Sequence, residues 1–312
     1  MRSSLIKWVD DSVIRAAAAA VNRLDHPDAA YAEAMALLSS NTLFPEITES
    51  IEPISIDHKG DFQFRSQARS SYPPNETVHG RFYGDVSQLA TKPCVILLHG
   101  WNDQFGYRYR FPWMGRRMAK KGLHSVRLTL PYHFDRYVQG RDFICGDIVS
   151  TIEAVGQAVT DIRTLISMLK AAGVEKIGIW GASLGALLSG LVMTRDSRLN
   201  CGVLAVPVTD LEHAIDNLGF CQPIKRSLNG RRLPLTAFDL MHQTPQLSPE
   251  NILVVAGKYD QFSPLEIIRD LARKWNVKNL WELEHGHITS LMMPRNSFRI
   301  CRWLEDKLVK GR

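Results

Sequence analysis

The 312-residue sequence has no Cys-x-x-Cys pair, and its five cysteines (Cys94, Cys145, Cys201, Cys221 and Cys301) are odd in number and widely spaced. That pattern excludes a small secreted disulfide framework and predicts free thiols. Cys94 and Cys201 lie inside apolar runs, where a free thiol behaves as a small hydrophobe. No apolar run approaches the roughly 18 residues of a membrane helix. Lys7, Asp10, Asp11 and Arg15 interrupt anything resembling a signal-peptide core. These absences predict a cytoplasmic chain with no transmembrane segment. Internal repeats, low-complexity tracts and domain-splitting linkers are also missing. The net charge is +6, but the Lys and Arg residues are dispersed. Their densest cluster, Arg108 to Lys121, is interleaved with Phe111, Trp113 and Met114, which are expected to pack. Without a basic helix or a recognition motif of the usual kinds, nucleic acid is not an expected partner.

Apolar residues make up 45% of the chain and charged residues 22%, enough for a substantial core. Residues 1–50 read as a helical extension. Ala16 to Ala20 is a strong helix-forming run, and Pro27 after His26 can open a second helix through Tyr31, Met35 and Leu38. No chemistry is evident in this extension. The remainder, 51–312, reads as one domain. Ile54–Ile56, Phe62–Phe64 and Val78–Tyr83 alternate as strands do, broken at Tyr72-Pro73-Pro74-Asn75. Asn75-Glu76-Thr77 is formally a glycosylation sequon, without consequence in a reducing compartment. Continuous apolar runs follow at Cys94–Leu98, Ser125–Leu130, Ile177–Trp180, Cys201–Val206, Ile252–Ala256 and Leu280–Leu283, as expected of parallel strands covered on both faces. Between them lie helical patterns, clearest from Ile148 to Leu169; the last helix uses Phe298, Ile300, Trp303, Leu304 and Leu308. Strands alternating with helices predict an α/β, doubly wound, mostly parallel sheet. The long segment 209–250, broken by five prolines and glycines (Pro223, Gly230, Pro234, Pro245 and Pro249), has the length and irregularity of a lid.

Gly181-Ala182-Ser183-Leu184-Gly185 lies directly between the strand-like run Ile177–Trp180 and the helical run Ala186–Met193. A serine on such a strand-to-helix turn exposes its hydroxyl at the sheet's C-terminal edge, and the glycines let the turn be tight. The alternative is a plain N-capping serine. A neutral hydroxyl needs a base to attack. His287, in the loop after Leu280–Leu283 and following Gly286, is the first candidate, and His285 the rival. Their His-x-His spacing could suit a metal, but no third ligand clusters with them, so no metal is expected. The imidazole in turn needs an orienting acid. Asp260, just past Ile252–Ala256, is preferred to Asp210, just past Cys201–Val206; either could instead cap a helix. Oxyanion donors are expected from the backbone N–H of Leu184 and of Trp101, in the loop after Cys94–Leu98. His99 reads as structural.

The order Ser183, Asp260, His287, preceded by His99-Gly100, resembles the α/β-hydrolase superfamily over roughly residues 60 to 310. Leu130-Pro131-Tyr132-His133 and the stretch Asp147 to Arg163 are similar to a branch of abhydrolase-domain proteins. His99-Gly100-Trp101 departs from the His-Gly-Gly-Gly form of some lipases. The resemblance implies an eight-stranded, mostly parallel sheet, a Ser–Asp–His triad, no cofactor, and a lid at 209–250. The expected activity is serine hydrolysis of a carboxylic ester through an acyl-enzyme, the substrate being a small-molecule or lipid-like acyl ester. Thioester or amide hydrolysis and acyl transfer would use the same parts, and a non-catalytic binding protein on the same fold is the alternative of another class. Tyr132, His133, Arg136, Trp101 and Phe105 are candidates to line the pocket.

Overall fold

A computed structural model of the protein describes residues 3–21, 31–40, 42–47, 51–68, 70 and 72–311. Its eight strands are β1 (Asp61–Arg65), β2 (Thr77–Tyr83), β3 (Cys94–Leu98), β4 (His124–Leu128), β5 (Ile177–Ala182), β6 (Cys201–Ala205), β7 (Ile252–Gly257) and β8 (Asn279–Leu283). They form one sheet in the order β1-β2-β4-β3-β5-β6-β7-β8. Strand β2 runs antiparallel to both its neighbours, and all pairings from β4 to β8 are parallel. The mostly parallel sheet expected from the alternating runs is therefore present.

The helices are α1 (Ser3–Val21), α2 (Tyr31–Leu38), the single turn α3 (Pro73–Glu76), α4 (Phe111–Ala119), α5 (Ile148–Ala171), α6 (Leu184–Met193), α7 (Leu211–Asn217), α8 (Gln222–Leu228), α9 (Leu265–Lys274), α10 (His287–Met292) and α11 (Pro294–Leu308). Alternation along each strand divides the core into two layers. In β3, Cys94, Ile96 and Leu98 join the layer covered by α5, α6 and α9, whereas Val95 and Leu97 join the one covered by α4 and α11. Both faces of the central strands β3, β5, β6 and β7 are thus buried, which is why these strands are apolar throughout instead of alternating with polar residues.

Several expectations need correction. Ile54–Ile56 forms no strand: Ile54 is buried against α5, and its N–H donates to the Met168 carbonyl at 3.4 Å instead of joining a ladder. Segment 209–250 is more regular than its prolines suggested, since Pro223 sits in the first turn of α8, where a proline costs no helix bond. Pro27 and His26, expected to open the second helix, lie outside the described residues. Asn75 is fully buried, with its Oδ1 accepting from the Tyr132 N–H at 2.8 Å, so the sequon is closed in the folded chain.

Arg136 is also not a pocket residue. It lies fully buried, its Nη1 2.8 Å from Asp161 on α5 and 3.1 Å from the Thr129 carbonyl, its Nη2 2.6 Å from the Asn75 carbonyl. Ser66 donates to the other Asp161 oxygen at 2.5 Å. This cluster ties the loop after β4 to α5 and to the turn before β2. Removing one partner of a buried pair leaves the other charge uncompensated, at a cost of about 3–5 kcal/mol. Asp161→Ala is therefore expected to lower unfolding free energy by about that amount, measured by urea denaturation. A loss below about 1 kcal/mol, typical of a surface pair, would show that the cluster is not a structural tie.

Candidate active site

Ser183 directly follows β5 and precedes α6 with φ 53° and ψ −115°, a conformation that non-glycine residues rarely hold. Such strain costs about 1–3 kcal/mol and persists only where the surroundings enforce it. Here they do. The Ser183 N–H donates to the Ala205 carbonyl at 2.9 Å. A Cβ on Gly181 would lie 2.0 Å from the Gly185 carbonyl oxygen, and one on Gly185 would lie 2.4 Å from that of Leu98. No larger residue fits at either position, so α6 leaves the sheet at once and the Ser183 hydroxyl stands out of the turn.

The structure brings Ser183, His287 and Asp260 into one hydrogen-bonded chain. The Ser183 hydroxyl lies 2.8 Å from His287 Nε2, and His287 Nδ1 lies 2.8 Å from Asp260 Oδ2. With Nδ1–H donating to the carboxylate, Nε2 is left as the acceptor for the hydroxyl. His287 is the first residue of α10 and is buried, and the Phe262 ring stacks on its imidazole at 4.2 Å between centroids. Asp260 is held from its other oxygen, which accepts the N–H groups of Phe262 and Ser263, both at 2.8 Å. The two rivals stand outside this hydrogen-bonded chain. Asp210 caps α7 by accepting from the His213 N–H at 2.8 Å. The His285 carbonyl accepts the Tyr259 N–H at 3.0 Å, and its ring Nδ1 is buried with no hydrogen-bond partner among the described residues.

The loop after β3 is fixed by two buried histidines. His99 Nδ1–H donates to the Gly100 carbonyl at 2.8 Å, and its Nε2 accepts from the Leu130 N–H at 3.2 Å. His133 Nδ1–H donates to the Pro131 carbonyl at 2.8 Å, and its Nε2 accepts from the Asn102 N–H at 3.1 Å. The Asn102 N–H is thereby spent, whereas those of Trp101 and Leu184 donate to no other group among the described residues. Gly100 brings this loop against the serine: a Cβ there would lie 3.4 Å from that of Ser183. Trp101 is anchored at its indole, whose Nε1 donates to Asp142 at 2.6 Å.

Of the expected lining residues, Trp101 and Phe105 do face the cavity beside Ser183; Tyr132 and His133 are buried beneath the loops. The cavity holds about 410 Å³. Its walls are almost wholly apolar, with Ile152 and Val155 from α5, Leu187 from α6, and Ile215, Ile224 and Phe238 from segment 209–250. Gly100, Ser183 and His287 lie at its polar end.

One residue escaped the sequence reading. Asp10, on α1, is fully buried and accepts the N–H groups of His287 at 2.7 Å, Ile288 at 3.0 Å and Gln261 at 3.2 Å. The extension taken to be without chemistry thus reaches the turns that carry both His287 and Asp260. Its signal was present but faint: Asp10 falls four residues after Ile6 and four before Ile14, on what would otherwise be an apolar stripe.

Among the described residues, no group of three or more His, Cys, Asp or Glu side chains could hold a metal ion, and no helix is long and apolar enough to cross a membrane.

Residues 59–233, more than half of the chain, match the family described as alpha/beta hydrolase domain containing 18. The chain belongs to that family. The matched span includes Ser183 and ends before Asp260 and His287. Two uncharacterized Mycobacterium tuberculosis proteins, MT2702 and Rv2627c, are each 37% identical to the chain over 94 residues, covering 29% of it and 23% of their own length. The aligned part thus spans under a quarter of those relatives. Among solved structures, the Pyrococcus furiosus esterase Pf2001 is similar with a TM-score of 0.57 at 14% identity, covering 82% of this chain and 98% of its own. The Thermogutta terrifontis esterase Est2 is similar with a TM-score of 0.55 at 16% identity, covering 80% and 91%. At such identities the likeness concerns the fold. Family and fold together are those of the α/β-hydrolases.

Burial holds the pKa of His99 well below the usual histidine value, and burial likewise lowers that of His133. The bonds agree, because a second proton on either Nε2 would face a backbone N–H. An unfolded histidine takes up a proton below about pH 6.5, whereas these two in the folded state do not. Their contribution is therefore complete above that pH and is lost as pH falls below it, by up to about 1.4 kcal/mol per pH unit for each histidine. Urea midpoints should drop between pH 7.5 and 5.5, and His99→Gln should flatten that dependence. An unchanged slope in the variant would show that His99 titrates alike in both states.

Proposed function

We propose that the protein is a serine hydrolase that cleaves a carboxylic ester through an acyl-enzyme, with Ser183 as nucleophile, His287 as general base and Asp260 as the orienting acid. The observation that carries this reading is the chain of 2.8 Å contacts from Ser183 Oγ through His287 to Asp260. His287 Nε2 takes the hydroxyl proton as the oxygen attacks the carbonyl carbon. The resulting oxyanion would be met by the N–H groups of Trp101 and Leu184, which donate to no other group among the described residues. The protonated His287 then donates to the leaving alcohol, leaving the acyl group on Ser183. Water, activated by the same imidazole, attacks the acyl-enzyme and releases the acid. Asp260 steadies the imidazolium through Nδ1.

The apolar cavity supports an acyl chain as the part of the substrate that is held. About 0.8 kcal/mol per buried methylene is available from such walls, and few polar groups lie along them to recognise sugars or peptides. We read 209–250 as a lid that supplies one wall of the acyl pocket, since Ile215, Ile224 and Phe238 come from it.

Three experiments bear on this reading. Ser183→Ala should abolish labelling by a fluorophosphonate probe, and Asp260→Asn should cut turnover of a p-nitrophenyl ester by a factor on the order of 10³–10⁴, with folding nearly unchanged. Labelling that survives Ser183→Ala would sink the nucleophile assignment. For the pocket, Ile224→Trp fills the wall contributed by α8. It should reduce kcat/KM for decanoyl relative to acetyl esters by about 10- to 100-fold, the worth of two or three methylenes losing their place. Equal effects on all chain lengths would remove segment 209–250 from substrate selection.

A further inference from the structure

Asp10 is a buried carboxylate with no cationic partner among the described residues, and every hydrogen bond it accepts comes from backbone at the site. Its Oδ2 takes the N–H of His287 at 2.7 Å and of Gln261 at 3.2 Å; its Oδ1 takes that of Ile288 at 3.0 Å. Gln261 directly follows Asp260. One carboxylate therefore bridges the turn of the orienting acid and the turn of the base, across a sequence separation of 277 residues to His287. Contact is close enough to constrain the neighbouring residue: a Cβ on Gly286 would lie 2.6 Å from Asp10 Oδ2 and 2.9 Å from Ile6.

We propose that Asp10 is a positioning residue for the hydrolytic site, holding His287 in line with both Asp260 and Ser183, and that α1 is thereby a working part of that site. The inference rests on the assignment of Ser183 and His287 made above. The physical need is plain. His287 begins α10, a helix of six residues, and its backbone N–H has no partner within the helix. Left to water, such a short terminus would fray, and displacement of a reacting group by 1 Å can cost about 10²-fold in rate. The like charge of Asp260 and the burial of Asp10 both work against ionisation of its carboxyl, burial more strongly, and push its pKa above the usual carboxylate range. A site that keeps an acid in so unfavourable a place gains something specific from it, and the N–H groups it holds are those of the base's own turn.

The test compares Asp10→Ala, Asp10→Asn and Ile14→Ala with the full-length wild type. Ile14, also on α1, packs beside Gly219 against the apolar cluster that holds Leu218 and Phe220; it offers no hydrogen bond to the turns of His287 and Asp260 and does not line the cavity. Active sites are counted by complete fluorophosphonate titration, and kcat and KM for p-nitrophenyl butyrate are expressed per titrated site, beside Tm. Asp10→Ala should lower kcat and the probe-labelling rate by about 10- to 100-fold with KM within about twofold. Asp10→Asn, which keeps one acceptor and folds without a cavity, should fall between. Ile14→Ala should lower Tm with kcat per site unchanged. The proposal is overturned if Asp10→Asn and Asp10→Ala retain wild-type kcat per titrated site, or if Ile14→Ala slows kcat as much as Asp10→Ala at a matched loss of Tm. A wild type that is not labelled at all would overturn the assignment of Ser183 along with this inference, which separates failure of the site from failure of Asp10 alone.

Discussion

Parallel pairing of β3 through β8 is the constraint from which the candidate site follows. Because these strands point the same way, their C-terminal ends share one edge of the sheet. The loop carrying Gly100 and Trp101 leaves β3, Ser183 directly follows β5, Asp260 lies past β7, and His287 lies past β8. The segments carrying these residues are far apart in sequence, yet a strand spacing of about 4.8 Å brings neighbouring ends within reach of one another's side chains. The antiparallel β2 contributes no comparable loop there. Crossover helices on both faces then seal the sheet, so the loops alone are free to vary.

Within that edge, the local problem is to hold polar groups at fixed positions away from water. Each is held by backbone. Ser183 is locked by the Ala205 carbonyl and by two glycines that admit no side chain. Asp260 accepts two N–H groups from its own turn, so its second oxygen can have only one orientation toward the imidazole. His99 and His133, each a donor at Nδ1 and an acceptor at Nε2, fix the loop after β3 while remaining neutral. Preorganisation of this kind is what lets hydrogen bonds act without reorganising as charge develops.

How far the sequence discloses this depends on how local the cause is. Ser183 is legible because strand, turn and helix are contiguous and the flanking glycines report the close packing themselves. Continuous apolar runs disclose the parallel strands for the same reason, and β5, β6 and β7 lie within a residue or two of their expected limits. Ile54–Ile56 misleads because alternation shows that a segment is half-buried, not that it has a strand beside it; here the neighbour is α5. Prolines in 209–250 suggested irregular chain, though a proline at a helix start is compatible with α8. Arg136 and His133 looked like pocket residues by position after β4, but their partners, Asp161 and the Asn102 N–H, come from elements far along the chain. Asp10 is the extreme case, its meaning set entirely by residues some 250 or more positions away.

That remoteness bears on how the site is completed. The sheet edge alone aligns a serine, a histidine and an acid, and leaves them open to solvent. What closes them comes from outside the strand–helix alternation: α1 at the polar end, where Asp10 meets the turns of His287 and Asp260, and segment 209–250 along the apolar wall. Val13 and Ala17, on the same helix as Asp10, also face the cavity. One helix therefore touches the turn of His287 through Asp10 and the cavity through apolar side chains. The cavity wall and the turn of His287 are in this way joined through one element that shares no strand with the sheet it packs against.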